Sequence, residues 1–95
     1  MKFEWDENKN RTNQAKHGID FADAARGFLD QDRIEWPDER KNYGEIRYQT
    51  MSKINDLIIY VVYTRRADSY RIISARRENK YEQETYLQYQ QSTKG

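Results

Sequence analysis

The 95-residue chain has no cysteine and a single histidine. Without cysteine it builds neither a disulfide framework nor a thiolate zinc site, and one histidine excludes a histidine-rich metal centre. Long apolar runs are missing too. The longest, Leu57 to Tyr63, is far too short to span a bilayer, and the first six residues carry no stretch of signal-peptide length. A soluble cytoplasmic protein with no membrane partner, no cofactor and no metal is therefore expected. Nor does one sign of charge dominate. Seventeen Lys and Arg stand against sixteen Asp and Glu, a net charge of +1, so a nucleic-acid site must come from local clustering. Apolar residues make up 36% of the chain, enough for one modest core, to which eight tyrosines add ring area while keeping their hydroxyls wet.

What is present reads as one domain over residues 1–90, with residues 91–95 as a frayed tail. Phe3 and Trp5 alternate with charged residues as a short strand. Asp6 is an N-cap for a helix over Glu7–His17, which has almost no apolar face and stops at Gly18. Asp20 caps a second helix, whose Phe21, Ala24, Ala25, Phe28 and Leu29 follow the helical period; Ile19 closes back on Ala24 as a staple. Residues 30–44 read as loop, with Ile34 and Trp36 as a short edge strand before Pro37.

The period then changes to two. Ile46, Tyr48, Thr50, Ser52 and Ile54 share one face of a strand, and Arg47, Gln49, Met51 and Lys53 the other. Asn55-Asp56 is a turn, Leu57–Thr64 a central strand apolar on both faces, Arg65–Ser69 a turn, Tyr70–Arg76 a third strand, and Glu78–Gln90 a helix. The expected architecture is α+β: a short N-terminal strand, two helices, an antiparallel three-stranded meander and a C-terminal helix, with the helices on one sheet face.

Charge is concentrated late in the chain. Arg65, Arg66, Arg71, Arg76, Arg77 and Lys80 face only Asp68 and Glu78, and the meander brings Arg47 to the end of the sheet that holds Arg65, Arg66 and Arg71. Strict alternation puts Arg76 on the face of Ser74 and turns Arg71 and Arg77 to the opposite one. Guanidinium groups bind phosphate oxygens bidentately, so this cluster is a candidate phosphodiester clamp. The competing reading is ordinary: strand-end arginines facing water or pairing with acids. His17 is either a helix-end residue favoured by the helix dipole or the one group that titrates near neutral pH unaided.

The stretches "FEWDENKNRTNQAKHGIDFADAARGF", "GEIRY" and "IIYVVYTRRADSYRIISARRENKYEQETY", taken in order, resemble the BrnT family of bacterial toxins. The matching positions include Trp5-Asp6, Lys9, Asn13, Lys16-His17-Gly18, Glu45-x-Arg47, the run Arg71–Arg76, Glu82 and Tyr86. The resemblance implies a RelE-like fold, RNA cleavage without metal, and neutralisation by a cognate ribbon-helix-helix (BrnA-like) antitoxin, with operator DNA bound only through that complex. Two positions depart from the family pattern: Ser52 where glycine is frequent, and Glu78 where alanine is common.

Metal-free RNA cleavage uses the 2′-OH as nucleophile. It requires a proton acceptor, charge stabilisation on the phosphorane and a proton for the leaving oxygen. Arg47, Arg65, Arg71 and Arg76 are candidates for charge stabilisation, Ser74 for orienting a phosphate oxygen, and His17 for acid or base, with Glu45 or Glu78 as substitutes. Lys16, Arg66, Arg77 and Lys80 are candidate RNA contacts. Two rivals stand beside this reading. One is a non-catalytic toxin-like binding module. The other is a DNA-binding regulator, for which Lys9, Arg11 and Lys16 on the first helix are thin support.

Overall fold

A computed structural model describes residues 2–40 and 44–94. Met1, residues 41–43 of the expected loop and Gly95 of the expected tail lie outside them. In chain order the elements are β1 (Lys2–Glu4), α1 (Glu7–His17), α2 (Phe21–Arg26) with a 3₁₀ turn over Gly27–Leu29, β2 (Ile34–Asp38), β3 (Arg47–Ile54), β4 (Leu57–Arg66), β5 (Ser69–Arg77) and α3 (Lys80–Lys94).

The expected class is α+β and the structure is α+β, but the three-stranded meander is only the centre of a larger sheet. Five strands lie in the order β1-β5-β4-β3-β2. β1 joins β5 in parallel, pairing Lys2 with Ser69 and Glu4 with Arg71. β2 adds to β3 antiparallel at the other edge, from Ile34 opposite Met51 to Asp38 opposite Arg47. Pro37 is inside β2, a position an edge strand tolerates because one row of its N–H groups needs no partner.

Helices cover both faces of this sheet, not one. Phe21, Ala24 and Phe28 pack with Ile59, Val61, Tyr63, Ile72 and Ala75 on the first face. On the second, Tyr86 of α3 packs with Met51, Ile58, Tyr60 and Val62. Ile19 joins Ala24 in the first core, as the staple requires. The helical period fails at one place: α2 tightens into a 3₁₀ turn at Gly27, which turns Leu29 out to 80% exposure. Ile46 precedes β3 and is also exposed.

Alternation holds through β3 and breaks in β5. The β4–β5 register runs Tyr63 opposite Ile72 but Val62 opposite Ser74, so Ile73 is the extra residue of a bulge. Ile72 and Ala75 therefore share the first core, although strict alternation would separate them. α3 starts at Lys80 and not at Glu78. Asn79 accepts from the Glu82 N–H at 2.8 Å and Glu82 accepts from the Asn79 N–H at 3.0 Å, a reciprocal capping box. Its backbone stays helical to Lys94, past the expected end at Gln90.

α1 is polar on every side, and two asparagines hold it. Asn10 accepts from the Phe21 N–H and donates to Asp20, tying α1 to the start of α2. Asn13 donates to Ala75 O at 2.8 Å and to Ile19 O at 3.1 Å, and accepts from the Ala75 N–H at 3.1 Å. Beyond Arg71 the outer edge of β5 has no strand beside it, and this amide takes over the ladder. Asp6 caps the helix through the N–H groups of Asn8 and Lys9, and Gly18 ends it at φ 73°, a left-handed conformation that costs glycine little.

Two predictions follow from this packing. Asn13→Ala strands three buried backbone groups and is expected to cost about 2–4 kcal/mol, seen in thermal melts as a fall on the order of 10–20 °C. Gly27 lies against the buried Ser52, whose hydroxyl a Cβ at position 27 would overlap. Gly27→Ala should therefore cost about 1–3 kcal/mol, and a double-mutant cycle with Ser52→Gly should recover much of it.

Candidate active site

The bulge at Ile73 decides which charged residues meet. Arg71 is opposite Thr64 and Arg76 opposite Tyr60 on β4, and Arg47 is opposite the same Thr64 on β3. Arg47, Arg71, Ser74 and Arg76 thus share the second sheet face; Arg71 sits with Arg76, against the expectation from alternation. Thr64 and Tyr60 are four residues apart, so the two arginines are separated by about 13 Å along the strands. Arg66 falls on the same face as Thr64 and meets the Arg47 region through Glu45, which lies 3.4 Å from Arg66 and 3.7 Å from Arg47.

Arg65 and Arg77 face the other way. Arg65 lies over the rings of Tyr48 and Tyr70, 5.0 and 5.6 Å from their centroids, and 3.6 Å from Glu35. Burial pushes the Glu35 carboxyl up, but the Tyr63 hydroxyl and Arg33 more than offset it and hold it below its usual range. Arg77 is exposed beside Asp23, Arg26 and Asp56. Lys80 is exposed in the first turn of α3.

Arg76 has the most organised surroundings. Its guanidinium is 4.3 Å from the Tyr60 ring centroid. Nη1 and Nη2 donate to the two Glu82 oxygens at 2.7 and 2.8 Å, and Nη1 also donates to Arg77 O. This pairing holds the Glu82 carboxyl below its usual range. A guanidinium has five N–H donors; these bonds leave the Nε–H and one Nη2 hydrogen without a protein partner among the described residues. Those two form a second fork of the kind that grips a phosphate.

Beside β5, α1 and the bulge enclose a groove of about 370 Å³ lined by Lys9, Asn13, Lys16, His17, Ile73 and Ser74, among others. This volume is at the lower end of the range for ligand sites. Asn13, by fixing α1 to Ala75, sets the width of the groove. His17 and Lys16, expected on a helix end, therefore stand across from Ser74, and Ser74 continues along the face to Arg76. Among the described residues no group of three His, Cys, Asp or Glu side chains is placed to hold a metal ion.

The local excess of positive charge in the sequence is largely answered in space. Glu4 lies 3.6 Å from Arg71, and Glu35, Glu45 and Glu82 partner other arginines. Lys9, Tyr60 and Glu82 were not among the candidate site residues. Lys9 and Lys16 share a helical face by their spacing of seven, a signal present in the sequence, and Asn79-x-x-Glu82 is a capping-box pattern. The position of Tyr60 beneath Arg76 needs the strand register.

Residues 5–82 match the family described as ribonuclease toxin, BrnT, of type II toxin-antitoxin system. The chain belongs to the BrnT family. Membership implies an RNA substrate and an antitoxin partner. No curated protein matches the sequence. Among the described residues no helix is long and apolar enough to cross a membrane.

The two stacked arginines differ in their surroundings. Arg65→Ala should lower stability by about 1 kcal/mol through its lost ring contacts, read in a thermal melt. Its effect on RNA cleavage should be small beside that of Arg76→Ala.

Proposed function

We propose that the chain is a metal-independent endoribonuclease that cleaves RNA through attack of a 2′-OH on the adjacent phosphate and so inhibits translation in the cytoplasm. The open fork of Arg76, on a guanidinium already fixed by Glu82 and Tyr60, carries this reading. A phosphate oxygen accepting from Nε–H and Nη2–H meets a donor pair that needs no reorganisation as charge builds on the phosphorane. Arg71 and Arg47, about 13 Å away along the strands, bind a neighbouring part of the same RNA strand. Ser74 orients a phosphate oxygen from the groove wall.

His17 takes the 2′-OH proton or supplies one to the leaving 5′-oxygen, its imidazole being in the groove that Ser74 lines. The products are a 2′,3′-cyclic phosphate, or the 3′-phosphate from it, and a 5′-OH. Lys9 and Lys16 along α1 attract the strand electrostatically. The partner is a BrnA-like antitoxin of ribbon-helix-helix type, and operator DNA is bound by the complex through that antitoxin.

The test is RNA cleavage by the purified protein in EDTA, with product ends mapped. Wild type should create new 5′-OH ends. Arg76→Ala should lose at least about 100-fold in rate, Arg76→Lys should recover part of it, and His17→Ala should lose about 100-fold or more. Full activity in Arg76→Ala would remove that residue from the site. Full activity in His17→Ala would return the histidine to a helix-end role. A wild type that cuts nothing, with or without translating ribosomes, would favour the non-catalytic binding module.

A further inference from the structure

Glu78 is a carboxyl whose surroundings the proposed reaction does not explain. Its backbone N–H donates to Ile58 O at 3.1 Å, so it continues the β4–β5 ladder one step past Arg77, at the corner where β5 turns into α3. Both carboxyl oxygens are shielded from solvent and have no hydrogen-bond partner among the described residues. Among the described residues, the charged and titratable groups at this corner include Arg76, Glu82 and Tyr60, with Asp38 and Arg40 acting on Tyr60 from the β2 side. Glu78 falls two residues past Arg76 on the same sheet face, because its ladder partner Ile58 shares that face with Tyr60, the partner of Arg76. The charges of Arg76 and of Glu82 on α3 bear on its carboxyl, and Tyr60 of β4 lies beneath the Arg76 guanidinium. Glu82 is already committed twice, to Arg76 and to the capping box.

We propose that Glu78 is a positioning residue for the RNA-cleaving site, setting through its own charge state how strongly Arg76 attracts a phosphate. The inference rests on the reading of Arg76 as a phosphate ligand. While the carboxyl is neutral, Arg76 has one acid beside it and its open fork faces RNA with the charges of the pair balanced. When the carboxyl ionises, two carboxylates flank one guanidinium, and the net negative charge at the corner repels a phosphate. Burial first, and then the neighbouring Glu82 charge, push Glu78 up to about 8, with Arg76 pulling the other way. The change therefore falls just above neutral pH. Tyr60, whose hydroxyl burial pushes above its usual range, stays neutral through that window.

The sign of the stability effect is separate and fixed. Glu78 titrates near 4.5 when free and about 8 when folded. The fold keeps its full stability below the free value, loses part of it progressively as pH rises from there to the folded value, and levels off above it.

The decisive measurement uses the intact protein and a 2′-O-methylated single-stranded RNA, which binds but lacks the nucleophile. Binding affinity and melting temperature are followed from pH 5 to 9 for wild type and Glu78→Gln. The expected result is a weakening of wild-type binding by roughly three- to tenfold between pH 7 and 9, absent in Glu78→Gln. The melting temperature of the variant should rise relative to that of wild type from pH 5 to about 8 and level off above that. Binding that weakens equally in both proteins, or in neither, overturns the proposal even if the melting curves diverge, because the carboxyl would then be a buried group with no link to Arg76. No binding by either protein overturns it as well. If wild type binds with the expected pH dependence but cleaves no unmodified RNA, the role of Glu78 stands and the ribonuclease mechanism falls. If it cleaves but shows no such dependence, the reverse holds.

Discussion

One side-chain amide determines where the site lies. β1 pairs with β5 for three residues only, and past that point β5 offers its backbone to a helix. A helix cannot extend a ladder through its own backbone, because its N–H and C=O groups point along its axis. Asn13 solves this with an Nδ2–H and an Oδ1 held in the geometry of a strand neighbour, one on Ala75 O and the other on Ala75 N–H. α1 has no apolar stripe with which to pack, so its position comes from directional bonds. Such bonds tolerate little sliding, and a groove walled by this helix is correspondingly well defined. Lys9, Lys16 and His17 inherit their placement from Asn13.

The bulge two residues before Ala75 is the second constraint, and it acts together with the first. An unbulged β5 that kept Ala75 in the first core would turn Arg71 to that face, beside Tyr63 and Phe28, and send Tyr70 and Ile72 to the other. With Ile73 extra, Tyr70 and Ile72 keep the core side while Arg71, Ser74 and Arg76 share the other. A bulge also increases local twist, and it occurs where the strand must accept Asn13 on its outer edge. The same short segment thus sorts the charges and receives the helix.

Much of the frame was legible from residue types whose physics is local. Asp6, Gly18 and Asp20 mark helix ends through backbone groups within three or four residues, and the alternation of Tyr48, Thr50 and Ser52 against Gln49 and Met51 needs only the pleat. The family was legible too, because an ordered set of weak motifs from Trp5 to Glu82 is specific as a set. What could not be read depends on distant partners. Asn10 and Asn13 look like poor helix formers until Phe21 and Ala75 are placed beside them. The extra residue at Ile73 leaves no mark in composition. The five-stranded width of the sheet rests on β1 and β2, short segments whose pairing is decided by strands far along the chain. The start of α3 is a different case: Asn79-x-x-Glu82 was there to be recognised and outweighs Glu78 as an initiator.

The arginines show why counting charges along a sequence window misjudges a site. Between residues 62 and 81 the surplus is positive, yet Glu4, Glu35, Glu45 and Glu82 come from other parts of the chain to meet it. What distinguishes Arg76 is then the donors it has left and how firmly it is held. Arg65 is also stacked on tyrosine and also faces a glutamate, but it completes a cluster with Arg33, Glu35 and Tyr63, on the face where α2 packs. Arg76 is fixed by one end of its guanidinium and presents the other. Fixing it in advance removes the side-chain entropy that a free arginine would lose on gripping a phosphate. On the proposed reading, a nearly neutral protein engages a polyanion through a pre-oriented fork and the arginines spaced along the same sheet face, and their placement counts for more than the size of its charge.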